Sequence, residues 1–175
     1  AGGHVWYAQN RSVEMGFGLD SLQYQVVDKC WGRFYESGLV ACQCDLSASS
    51  NDCSNGLTGG ELEERTERHP GSTLMTFDED GDGDKEIVLG DVSFDCLNFL
   101  KNGGSASTAW MTAQDEDFPS YSTSLVLFTF PAAFYLDIDN DGKGDMVVAP
   151  SNRNIGEDQK NAWYYRNTAP TGHHF

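Results

Sequence analysis

The chain has 175 residues, 39% of them hydrophobic and 12% aromatic, with 19 glycines. That length and composition predict one folded, β-rich unit with a sizeable core and exclude a disordered chain. A formal charge of −16 excludes nucleic acid and anionic membrane surfaces as partners, because both need a surplus of Lys and Arg, and it points to cations instead.

In chain order, the first readable element is Val5-Trp6-Tyr7-Ala8-Gln9-Asn10, an aromatic-rich strand ending in Asn. The pattern returns at Leu97-Asn98-Phe99-Leu100-Lys101-Asn102 and at Ala162-Trp163-Tyr164-Tyr165-Arg166-Asn167, each time followed by small or polar turn residues. No basic flank and apolar stretch opens the chain, so any export signal is expected to have been removed or to lie outside it. No apolar run approaches the roughly 18 residues that span a bilayer, and no direct membrane insertion is expected.

Next comes a Ser/Asn/Gly-rich segment, from about 28 to 68, that holds Cys30, Cys42, Cys44 and Cys53 and has no packing periodicity. Such a stretch needs staples. Two disulfides among these four cysteines are expected, in one of three pairings, with Cys96 left as a buried thiol in a strand. A zinc site is disfavoured by the lack of a C-x-x-C pair. The run from Glu61 to Arg68 reads as a solvated face of one or two helical turns.

The sequence then repeats itself. Leu74-Met75-Thr76-Phe77 leads into Asp78-Glu79-Asp80-Gly81-Asp82-Gly83-Asp84-Lys85-Glu86 and on into Ile87-Val88-Leu89-Gly90. After 59 residues Ala133-Phe134-Tyr135-Leu136 leads into Asp137-Ile138-Asp139-Asn140-Asp141-Gly142-Lys143-Gly144-Asp145, then Met146-Val147-Val148-Ala149. Between the two copies, Leu125 to Phe128 reads as a strand bounded by Pro119 and Pro131.

Both acidic clusters place oxygen ligands at positions one, three, five and nine, with glycine at six. Calcium takes about six to eight oxygens, and a chain wrapped round it presents alternate side chains while the glycine relieves the turn. The expected ligands are Asp78, Asp80, Asp82 and Glu86 with the carbonyl of Asp84, and Asp137, Asp139, Asp141 and Asp145 with the carbonyl of Lys143. The Lys143 side chain must then point away. An EF-hand would carry a bidentate Glu at position twelve, where this chain has Leu89 and Val148. A strand follows instead of a helix, so the ion is expected to pin a strand-to-strand turn. Magnesium, which keeps its waters, fits such a cage less well.

These residues resemble the FG-GAP/VCBS repeat family, whose signature is an apolar strand, D-x-D-x-D-G-x-x-D, a second apolar strand, then an aromatic strand ending in Asn. The likeness covers about 70 to 175 and the opening strand, but not the cysteine-rich segment; Glu86 stands where the family usually has Asp. The resemblance implies an all-β chain of β-propeller blades, about two blades plus an edge strand, with two structural Ca2+ sites. It divides the chain into an edge strand at 1–10, a first repeat at 11–102 carrying the insertion, a second at 103–167, and the start of a connection at 168–175. Two blades cannot close a ring, so other blades of the same parent, or a partner chain, are expected at the open edges. No nucleophile elbow, HExxH or Ser/His/Asp set accompanies the four histidines, and an enzyme is not expected. The expected role is a secreted or bacterial cell-surface module for adhesion, glycan or protein binding, or scaffolding; the alternative is a non-catalytic propeller part of an extracellular carbohydrate-active enzyme such as a polysaccharide lyase.

Overall fold

The computed structural model describes residues 3–36, 40–53, 72–152 and 159–175. The described residues form eleven strands in four small antiparallel sheets, none of them closed, and no helix. Among the described residues no helix is long and apolar enough to cross a membrane. Strands β1 (Val5–Asn10) and β2 (Tyr24–Trp31) make one hairpin, and the short β3 (Phe34–Glu36) and β4 (Cys44–Leu46) make another. A four-stranded meander follows: β5 (Ser72–Phe77), β6 (Glu86–Asp91), β7 (Leu97–Asn102) and β8 (Met111–Asp115). The last sheet orders β9 (Pro131–Leu136), β10 (Asp145–Pro150) and β11 (Trp163–Tyr165) with β10 in the middle.

The apolar pattern of β5 to β7 explains why this meander is packed on both faces. Residues directly opposite in an antiparallel ladder share a face. The pairs Leu74 with Leu89, Thr76 with Ile87, and Ile87 with Leu100 therefore form one face, and Met75, Val88 and Phe99 form the other. Two separate cores follow from this division. On one side Met75, Phe77, Val88 and Leu97 pack with Ala133, Met146, Val148 and Tyr165 of the last sheet. On the other, Ile87, Leu89, Leu100 and Met111 pack with Phe34 and Cys44, and Val5 and Trp31 close in around them. The two acidic repeats thus meet face to face. Thr73 Oγ1 donates to Pro131 O at 2.6 Å, and a Cβ at Gly90 would collide with the same carbonyl, so only glycine lets β9 approach this closely.

The Asn that ends β1 and β7, and the one two residues past β11, does the same work three times. Asn10 Oδ1 accepts from Ser12 N and Gln23 N, both at 3.1 Å, while Arg11 N donates to Gln23 O at 2.8 Å. Asn102 Oδ1 accepts from Gly104 N at 3.0 Å and Trp110 N at 2.9 Å, while Gly103 N donates to Trp110 O at 2.9 Å. Asn167 Oδ1 accepts from Ala169 N at 3.1 Å and His174 N at 3.2 Å, while Thr168 N donates to His174 O at 2.9 Å. A short side-chain carbonyl replaces the backbone partner that the chain loses when it turns out of the ladder. In the first two copies the residue after the clamped one opens the next strand, Tyr24 of β2 and Met111 of β8. Asn102→Ala, at a buried position, is expected to lower unfolding free energy by about 1–3 kcal/mol. Urea denaturation measures this; a change within about 0.5 kcal/mol, ordinary for a surface substitution, would mean the turn is held by other contacts.

Several expectations are corrected. Cys96 is not a lone thiol: it pairs with Cys42, while Cys30 pairs with Cys53, each with Cα atoms 6.1 Å apart. The free cysteine is Cys44, buried in β4. Strand alternation turns Cys44 into the core beside Leu89, and Cys96, in the turn just before β7, is left within reach of Cys42. Leu125 to Phe128 is not a strand. The side chains of Trp163 and Tyr165 bond its neighbourhood instead, donating to Val126 O at 3.1 Å and Thr123 O at 3.0 Å. The four-stranded sheet extends past Asn102, since β8 pairs with β7, just as β2 pairs with β1. The segment from about 28 to 68, expected as an insertion, contains the end of β2 and all of β3 and β4. The run from Glu61 to Arg68 lies outside the described residues.

Candidate metal centres

Each acidic cluster is the turn of a hairpin. Phe77 pairs with Glu86 across the first, and Leu136 with Asp145 across the second, so positions one and nine are brought together by the ladder itself. Positive φ at Gly81, Gly83 and Gly142, and at Asn140, lets the chain double back between them.

The side chains converge in the same way in both loops. Carboxylate oxygens of Asp78, Asp80 and Glu86 lie within 4.8 Å of one another, as do those of Asp137, Asp139 and Asp145. These are positions one, three and nine. The position-five carboxylates of Asp82 and Asp141 stand outside those groups; each accepts from the backbone N two residues on, Asp84 N at 3.0 Å and Lys143 N at 2.9 Å. Lys143 sends its ammonium away from the loop to Ala169 O at 2.6 Å. The Asp84 side chain is buried, and its Oδ1 has no hydrogen-bond partner.

The two position-nine carboxylates are fully buried but are not in the same state. Asp145 Oδ1 accepts from Asn167 N at 2.8 Å, and Oδ2 accepts from Ile138 N at 3.2 Å and Tyr164 Oη at 3.0 Å. Burial pushes this carboxyl up, but the donors together outweigh it and hold it below the usual range. Glu86 Oε2 accepts from Glu79 N at 2.6 Å, while Oε1 is buried without a partner. Burial, helped by the charges of Asp80 and Asp84, pushes Glu86 up to about 7.

Residues the sequence reading did not single out complete the sites. Lys101 Nζ lies 3.3 Å from Asp80 Oδ2, and Arg166 Nε lies 2.6 Å from Asp139 Oδ2. Both cations sit one residue before the strand-ending Asn, and both meet the position-three carboxylate. Superimposing the three Asn strands would have found them, because Lys101 and Arg166 fall in register while Gln9 takes that place in the first. The turn after Asn167 also reaches the first loop, with His173 N donating to Glu79 O at 3.1 Å.

The donor set suits a hard divalent cation. Converging carboxylate oxygens, and in the first loop a buried Glu86 oxygen without a donor, are what calcium coordination would satisfy. Asp78, Asp80 and Glu86, and Asp137, Asp139 and Asp145, would hold the ions, whose chemistry is charge neutralisation between two strands. The difference between the loops sets a pH dependence. Glu86 has its folded pKa above the ordinary 4.5, so its contribution in calcium-depleted protein is fully present below pH 4.5 and lost as pH rises through about 7. A bound cation needs the ionised form. Calcium titrations at pH 6 and pH 8 are expected to show one of two sites weakening at the lower pH with proton release, and the other unchanged. Equal behaviour of both sites would contradict the assignment of Glu86.

No protein-family model matches the chain, and neither a curated protein nor a solved structure matches it.

Proposed function

We propose that this chain is a secreted or cell-surface calcium-binding module built of β-propeller blades of the FG-GAP/VCBS type, in which two calcium ions are structural. The observation that carries the reading is the twofold convergence of carboxylates one, three and nine, each time inside a turn between paired strands. The three Asn-clamped turns and the face-to-face packing of the two acidic repeats support the same repeat architecture. Two disulfides suit an oxidising, extracellular environment. In this reading each ion pins a hairpin, and the module serves adhesion, glycan or protein binding, or scaffolding, through surfaces other than the metal loops.

Thermal unfolding with calcium and with chelator tests the proposal. Calcium at a hundred times its Kd stabilises by about 2.7 kcal/mol per site. For a chain of this size two sites correspond to a rise in Tm of about 10–20 °C. Magnesium at the same concentration is expected to give a much smaller shift. A Tm indifferent to calcium would overturn the reading.

A further inference from the structure

The packing that joins the two acidic repeats is only half made on the other side of the four-stranded sheet. The last sheet presents Ala133, Met146, Val148 and Tyr165 to that sheet. The matching positions across the repeat, Leu74, Ile87, Leu89 and Leu100, form the face of β5–β8 that points the opposite way. Three of these are buried there, yet Leu74 is 48% exposed. Beside it opens a cleft of about 520 Å³ with Trp6, Tyr7, Trp31, Leu74, Thr76 and Lys85 in its walls. Trp6 is 60% and Tyr7 45% exposed, so with Leu74 they leave three large apolar side chains open to water along one cleft.

The Asn-clamped turns make β1 and β2 the counterparts of β7 and β8. Strand β7 is paired on both sides, by β6 and β8, whereas among the described strands β1 is paired by β2 alone. An unpaired strand edge is a template for another strand. Carrying the packing of β9 on β5 back by one repeat brings strands equivalent to β5 and β6 into this cleft. We propose that the cleft between β1 and β5 is the seat of a β-hairpin of the repeat's own type. Its two apolar strands, joined by a D-x-D-x-D-G loop, pair with β1 and cover Leu74. This rests on the repeat architecture proposed above.

A fusion places the occupant. A copy of residues 72–92 set directly before Ala1 leaves five residues between the copied second strand and Val5, the same number that separates Asp91 of β6 from Leu97 of β7. With calcium, the free edge of β1 is expected to exchange its amide hydrogens about tenfold or more slowly than in the unfused chain, and Trp6 to become resistant to acrylamide quenching. Leu74→Glu in the body of the fusion, at a half-exposed position, is expected to abolish both effects while the rest of the chain keeps its protection. Unchanged β1 exchange in the fusion would overturn the proposal, as would protection that survives Leu74→Glu, or an unfused chain that is already a dimer with Trp6 protected. If calcium raises the Tm but the fusion leaves β1 open, the hairpin seat alone fails and the calcium reading stands.

Discussion

Asp145→Ala is expected to destabilise the protein by about 3 kcal/mol even in chelator, because Asn167 N, Ile138 N and Tyr164 Oη all donate to this one buried side chain. Asn167 is itself buried and clamps the following turn, so losing its backbone acceptor loosens two structures at once. In calcium the deficit is expected to grow by the contribution of one ion, about 2.7 kcal/mol at a hundred times Kd. The conservative Asp145→Asn keeps one oxygen but turns the other into an NH2 group, which sets a donor against Asn167 N or Ile138 N, and it removes a charge from the ion. It is expected to cost about 1–3 kcal/mol in chelator, for the buried donor left without an acceptor, and to lose the calcium increment. The depressed pKa of Asp145 makes stability depend on pH. Its stabilisation is present above the ordinary carboxylate value of 3.8 and is lost as pH falls through the lower folded value, so chelator-treated protein should weaken at strongly acid pH through this group. Urea denaturation of the two variants, with and without calcium, reads all of these. A calcium increment that survives Asp145→Asn would remove this residue from the site.

The second large effect is expected at the disulfide between Cys42 and Cys96. It closes a loop of 54 residues and ties the β3–β4 hairpin to the turn before β7. For a loop of that length, constraint of the unfolded chain amounts to about 4 kcal/mol. Replacing both cysteines by alanine is expected to lower stability by roughly that amount and to expose Cys44, whose thiol burial in the core pushes its pKa up. The bond between Cys30 and Cys53 closes a shorter span of 23 residues, and its loss is expected to cost less. Peptide mapping under non-reducing conditions should return these two pairs and one thiol, Cys44, that alkylates only after unfolding. Recovery of Cys44 in a disulfide would contradict the assignment.

How much of this was legible in the sequence depended on whether the signal was local. The acidic loops and their flanking strands were readable because ligand spacing and strand alternation act within a dozen residues. The strands ending in Asn10, Asn102 and Asn167 were readable as a repeat for the same reason. What the side chain of each Asn does was not, since its partners Gln23, Trp110 and His174 lie 13, 8 and 7 residues away at different loop lengths. Of the two disulfides, Cys30 to Cys53 falls within the expected cluster, and Cys42 to Cys96 departs from it for a related reason. Proximity in sequence favoured a pairing within the cluster at 30–53, but alternation in β4 buries Cys44, and only the packing of β4 against β8 of the four-stranded sheet brings Cys42 to Cys96. Leu125 to Phe128 has the residues of a strand, but carbonyls in its neighbourhood are taken by Trp163 and Tyr165, and strand propensity without a ladder partner does not make a strand. The contrast between Glu86 and Asp145 was invisible as well. Both are carboxylates at position nine; only the structure shows three donors on one and a single donor on the other.

Calcium titration of the metal-depleted chain by calorimetry at pH 8, alongside Asp145→Asn, decides whether the loops are ion sites. Saturation at two ions per chain, falling to one in the variant, is the expected result. No saturable uptake in the wild-type chain at millimolar calcium, the weak end for extracellular calcium modules, would leave both loops as ordinary acidic turns and contradict the account.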